Sequence, residues 1–303
     1  METDENTAHE VFAAPTKRGL RDAELTLVAL GIPHGQHYDG FLWRLMVSGI
    51  HVEQALDELR DLVVENKDWP PRVAPPPILS NGKLGALVYA AVIAIFHPIG
   101  QVGLFGLNWW DPGKVDAARI RSGEIWRTAT ALTLHGDIAH LAANLVFGIG
   151  FGVLASHTLG AGLAWLATLI AGMLGNYANA WLADPSHTAI GASTAVFATL
   201  GLLSMYEWVR RSDLGLRQLR RAAPLIAGAV LLGFLGAGGG ESGPQNIDVG
   251  AHVLGFIAGG LVGFVLGRYQ VPTRLSSKGQ VRAGLLGLAL VAAAWVAALT
   301  LGS

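Results

Sequence analysis

The sequence predicts an all-α polytopic membrane protein: a six-helix core, a seventh transmembrane helix at the C-terminus, and a small α+β domain at the N-terminus. Three observations carry this reading. Only 14% of the 303 residues are charged and 51% are hydrophobic, whereas soluble domains carry roughly 25% charged residues. Forty residues are glycine, which is commoner in membrane helices because it lets neighbouring backbones approach. Long apolar stretches recur from Leu84 onward. The net charge of −1 gives no electrostatic case for nucleic-acid binding. With no cysteine, disulfides, thiolate metal sites and a thiol nucleophile are all excluded.

Residues 1–83 hold 13 acidic and 8 basic residues, more than half of the protein's 22 acids. No apolar run lies between Met1 and Leu84, so no signal peptide is expected. Residues 1–22 read as disordered, being polar and without periodicity. Residues 23–69 read as a small cytosolic α+β domain. Its expected strands are Glu24–Ala29 and Phe41–Ser48, joined through the turn-prone Gly31–Gly35 and Asp39-Gly40. Its helix is His51–Asn66, with Val52, Ala55, Leu56, Leu59, Leu62 and Val63 on one face. A unit this small is marginal alone, which makes a protein partner for it an expectation. Prolines in residues 70–83 predict a stiff linker.

From Leu84 the chain holds seven apolar segments, at 84–105, 138–156, 163–182, 189–206, 222–238, 249–267 and 283–302. Each is near the length that crosses about 30 Å of hydrocarbon. The alternative end of the first is His97-Pro98. Residues 84–267 form the expected core, and 268–303 the last connection and seventh span. Gly106–Asp137, with Trp109-Trp110 and Trp126-Arg127, reads as an amphipathic interfacial loop. Arg210, Arg211, Arg217, Arg220 and Arg221 follow the fourth segment, and Arg268, Arg274, Lys278 and Arg282 follow the sixth. Leu182–Ala189 and Gly239–Asp248 contain no Lys or Arg. The positive-inside rule therefore predicts a cytoplasmic N-terminus and an external C-terminus in the plasma (inner) membrane. Lys114, Arg119, Arg121 and Arg127 in the first loop argue the other way, among four acids.

With that orientation, His140, Ser193 and His252 each sit a few residues inside a segment that begins at the outer face. At 1.5 Å per residue they lie roughly 4–7 Å below their helix starts. Asn144 is one turn below His140 on the same face. Polar groups at one depth in hydrocarbon suggest a shared cavity. The set has the parts for acyl transfer: a hydroxyl, an imidazole to take its proton, and donors for an oxyanion from His140, Asn144 and the Ser193 N–H. Gly255 and Gly259 give the sixth segment a slim face toward the small residues around Ser193.

Gly191-Ala-Ser193 resembles the Gly-x-Ser motif of the rhomboid intramembrane serine proteases. Ala251-His252-Val-Leu-Gly255 continuing to Gly259 resembles that family's Ala-His-x-x-Gly-x-x-x-Gly, His140 to Asn144 its His-x-x-x-Asn, and Trp126-Arg127 its first-loop Trp-Arg. The resemblance implies a peptide-bond hydrolase with a Ser193–His252 dyad, no cofactor and no metal, acting on transmembrane protein substrates within the lipid bilayer. It implies that Phe197 lies against the catalytic histidine, and that a loop around Gly236–Gly240 covers the site. One departure stands out: Thr194 follows the serine where the family has Gly, and a β-branched side chain there could crowd the dyad.

Other readings are weaker. A catalytically silent, client-binding relative would retain the fold, but both dyad residues speak against it. A transporter is disfavoured by the lack of acids within the segments. Asp248 suggests a triad but falls in the outer loop. His135 and His140 lack the spacing of a zinc motif. Asn176 and Asn179 read as interhelical contacts, and Trp126-Arg127 as a structural anchor.

Overall fold

Leu20, Ala23 and Leu27 are buried at spacings of three and four, a helical rhythm that decides the first unit. The computed structural model describes residues 7–67, 78–213, 218–236 and 248–302, which belong to two compact units, Met1–Pro75 and Pro76–Ser303. In the first, β1 (Ala8–Ala14), α1 (Arg21–Ala29), β2 (His34–Tyr38), β3 (Trp43–Ser48) and α2 (Val52–Glu65) follow in order. The sheet is antiparallel, β1-β3-β2, with Trp43 opposite both Ala14 and Tyr38. Val11, Leu20, Leu27, Leu45, Val47 and Leu59 form its core.

Two expectations fail here. Glu24–Ala29 is helix rather than strand, because its buried residues recur at helical spacing; the local run of Leu, Thr and Val misled. Residues 8–14, expected to be disordered, form β1, whose Val11 and Ala14 are buried. Long-range pairing with β3 supplies the order that local sequence does not announce. Residues 1–6, and most of the expected linker, lie outside the described residues.

The second unit is helical: α3 (Lys83–Val102), α7 (Ile138–Leu159), α8 (Ala161–Leu182), α9 (Ser193–Asp213), α10 (Gln218–Gly236), α11 (Val249–Arg268) and α13 (Ser277–Leu301), with the short α4 (Trp110–Gly113), α5 (Ala117–Arg121), α6 (Arg127–Thr130) and α12 (Val271–Arg274) between them. Among the described residues, five helices are long and apolar enough to cross a membrane: α3, α7, α8, α11 and α13. The protein is therefore a multi-pass membrane protein. The seven expected spans map onto helices, but α9 and α10 do not meet the same length and hydropathy test. α9 carries Glu207, Arg210 and Arg211 near its end. It is also the most enclosed helix, buried along most of its length, so protein rather than lipid surrounds it. α3 runs through Pro98 and stops at Gly103, whose φ of +62° closes the helix.

The α9–α11 seam is set by missing side chains. A Cβ on Gly255, Gly259 or Gly263 would collide with the carbonyl oxygens of Thr194, Ala198 and Leu202 respectively. The two helices thus run in the same direction, backbone against backbone, at four-residue intervals. Thr168 and Thr199 hydroxyls meet at 2.9 Å between α8 and α9. Gln280 of α13 locks the tight α7–α8 turn: its amide donates to the Leu159 carbonyl at 2.8 Å and accepts from the Leu163 N–H at 2.9 Å.

The loop expected to lie in the interface folds into protein. β4 (Val115–Asp116) pairs with β5 (Thr188–Ala189), and Val115, Ala117 and Ile120 are buried. That pairing explains a displaced boundary. The fourth segment was expected to start helix at 189, but Gly191 has φ of +117° and α9 begins only at Ser193. Right-handed helix is incompatible with that φ.

Candidate active site

Ser193 is the first residue of α9, presented by the Ile190–Ala192 loop. Three contacts hold that loop. The Gly191 N–H donates to the Ala131 carbonyl at 2.9 Å. The Ala192 N–H meets His135 Nε2 at 3.4 Å. The Nε2–Cε1 edge of the His140 ring abuts Gly191, so that a Cβ there would sit 2.5 Å from Nε2. Gly191 is therefore required twice, for its φ and for the space His140 occupies.

His140 stands near the start of α7. Asp137 caps that helix by accepting from the His140 N–H at 2.8 Å, and its carboxyl is held below the usual carboxylate range by this bond. Asn144 is buried one turn below, with its amide donating to the His140 carbonyl at 3.0 Å. That bond ties the Asn144 amide back to its own helix.

His252 is 7% exposed, and its ring lies 4.4 Å from that of Phe197, centroid to centroid, with planes 35° apart. Phe197 is one turn after Ser193 on α9, so Ser193 projects along the helix face that His252 covers. The glycine seam makes this possible. It fixes Thr194 against Gly255, so the residues one turn above Gly255 meet the first turn of α9. Thr194 does not crowd this approach: its methyl points into a hollow between Gly175 and Gly255.

Ser193 also lines a cavity of about 10 Å³ together with Gly191, Thr194, Asn176, Asp248 and Ala251, close to the smallest space that holds one water. A larger cavity of about 510 Å³ between α3, α8 and α13 reaches Ala192 and Ala195, but its walls are mainly apolar and include neither Ser193 nor His252.

Both oxygens of the Asp248 carboxylate are bonded. Its Oδ1 accepts from the Ala251 N–H at 2.9 Å, capping α11. Its Oδ2 meets Asn179 Nδ2 at 2.7 Å and His187 Nε2 at 2.8 Å. Sequence reasoning missed His187 altogether, since nothing in its local sequence marks it. Asn176 donates to the Thr128 carbonyl at 2.9 Å. Arg127 is fully buried: Nε pairs with Glu124 at 2.7 Å, and Nη1 donates to the carbonyls of Asp111 at 2.5 Å and Lys114 at 3.1 Å. Among the described residues no cluster of side chains is suited to hold a metal ion.

Residues 122–269 match the Rhomboid domain family model. The matched stretch, just under half of the chain, is similar to the rhomboid family. Among its rhomboid relatives, it is 32% identical over 190 residues to rhomboid protease GluP of Bacillus subtilis, covering 63% of this chain and 33% of that protein. It is 28% identical over 152 residues to Rhomboid-like protease 3 of Toxoplasma gondii, covering 48% of this chain and 54% of that one. It is also 28% identical over 186 residues to rhomboid protease GlpG of Salmonella typhi, covering 61% of this chain and 63% of that one. The alignments thus span between a third and just under two thirds of these relatives. All four motifs lie within the matched rhomboid domain, from Trp126 to Gly259; α3 and α13 lie outside it.

Proposed function

We propose that this protein is an intramembrane serine endopeptidase that hydrolyses peptide bonds in or beside transmembrane segments. The observation that carries the reading is the close, tilted packing of the His252 ring on Phe197, which shares a helix face with Ser193. Ser193 Oγ attacks the scissile carbonyl while His252 takes its proton. The tetrahedral oxyanion is stabilised by the Ser193 N–H, His140 and Asn144. The Asn144 amide reaches it by leaving the His140 carbonyl. Collapse expels the amine, which receives the proton from His252 and leaves an ester on Ser193. Water, deprotonated by His252, then releases the acid and restores the serine.

A peptide bond inside a membrane helix is shielded by its own hydrogen bonds, so the substrate must unwind. Gly, Ala or Pro near the cut lowers that cost. Charge distribution supports a cytoplasmic N-terminus, an external C-terminus and a site opening toward the outer face of the plasma (inner) membrane. The N-terminal unit is proposed to bind a protein partner.

The test is cleavage of a transmembrane substrate in liposomes. Ser193→Ala abolishes it while helicity and thermal unfolding stay near wild type. Cleavage that survives this substitution would overturn the reading.

A further inference from the structure

We infer that Asp248 is a positioning residue for His252, moored by His187 and Asn179; the inference rests on the protease reading above. Asp248 grips the first turn of α11 at two points. Its carboxylate accepts from the Ala251 N–H at 2.9 Å, and its carbonyl accepts from the N–H of His252 itself at 3.2 Å. The other carboxylate oxygen is bound from two separate elements. Asn179 on α8 donates at 2.7 Å, and His187, six residues before Ser193, pairs at 2.8 Å. One side chain therefore joins the turn carrying the base, the loop leading to the nucleophile and the helix behind both.

The packing shows why such a mooring matters. The glycine seam holds α11 to α9 at Gly255, Gly259 and Gly263, but His252 lies a turn above its last contact. There the His252 ring packs on Phe197, and a helix end frays unless its free N–H groups are bound. Asp248 also borders the small cavity that Ser193 lines. A displacement of about 1 Å in catalytic geometry costs on the order of 100-fold in rate. Anchoring the turn therefore protects turnover rather than substrate binding.

The inference predicts a distinct pattern in full-length protein cleaving a transmembrane substrate in liposomes. Asp248→Ala lowers kcat by about 10–100-fold with KM nearly unchanged. Asp248→Asn stays within a few-fold of wild type, because the amide oxygen still caps α11 and its NH2 can donate to His187 and, once Asn179 turns its amide over, to the Asn179 oxygen. His187→Ala, which leaves the cap intact, lowers kcat in the same sense, and His187→Gln restores it. Labelling of Ser193 by a fluorophosphonate slows in parallel with kcat. Equal losses in Asp248→Ala and Asp248→Asn would assign the role to charge and overturn positioning. So would a KM effect alone, or a normal rate in both alanine variants. Cleavage by wild type that survives Ser193→Ala, or no cleavage and no labelling at all, overturns the protease reading and with it this inference.

Discussion

The methyl of Thr194 fits the hollow left by the absent side chains of Gly175 and Gly255. The residue that departs from the rhomboid pattern is thus a packing element shared by α8, α9 and α11. Thr194→Gly is expected to lower stability by about 1–2 kcal/mol, from the vacated space and the flexibility of glycine. Thermal unfolding in detergent checks this, and a faster, equally stable variant would contradict it.

Gly259 faces the Ala198 carbonyl with no room for a Cβ. The obstacle is backbone, which cannot rotate aside as a side chain does. Gly259→Val should push α9 and α11 apart and so separate Ser193 from His252. Substrate cleavage and fluorophosphonate labelling should fall together by at least 10-fold, because the loss is geometric. Gly150 has open space around it, and Gly150→Ala is the matched control expected to cleave normally.

Arg127 is buried with its guanidinium on Glu124 and on the carbonyls of Asp111 and Lys114. Arg127→Met leaves those acceptors without their donor. Glu124 keeps 23% of its side chain exposed, so the cost comes mainly from the buried carbonyls left without a donor, about 1–3 kcal/mol. The expected result is a markedly lower unfolding temperature and faster proteolysis within residues 106–137.

Gln280 binds both ends of the α7–α8 turn. Gln280→Ala removes two hydrogen bonds and should cost about 1–3 kcal/mol. Ser193 labelling in folded protein is expected to stay unchanged, since the turn lies at the far end of α7 from His140.

His135 lies outside the spanning helices, and burial pushes its pKa down to about 4, with the neighbouring His140 adding to the effect. Its folded pKa is below the unfolded value of about 6.5. Between those values the unfolded chain binds the proton and the folded one does not, so stability falls as pH drops from about 6.5 toward 4. In His135→Gln the fall over that window should be shallower, as read from unfolding temperature against pH.

Much of the site was legible because its chemistry is written in short spacings. His140 with Asn144, and His252 with Gly255 and Gly259, each fit within one or two helical turns, so the helix period aligns them, while Gly191-x-Ser193 is a three-residue motif at the entry to α9. What misled was local propensity in the first unit, where Glu24–Ala29 reads as strand until its packing partners are known. The first loop shows a limit of another kind: its sequence gives no sign that β4 pairs with β5 or that Arg127 is buried against Glu124 and two carbonyls.

The sequence by itself determined that this chain enters the membrane repeatedly, and it placed the serine, histidines and asparagine near the starts of apolar segments. Those properties follow from hydropathy, which needs no partner. Only the tertiary structure decided that Thr194 is accommodated, that Asn144 is bonded to its own helix, and that Asp248 answers to His187 and Asn179. These depend on atoms brought together from residues as much as 80 apart in the chain, where contact is set by packing rather than by sequence period.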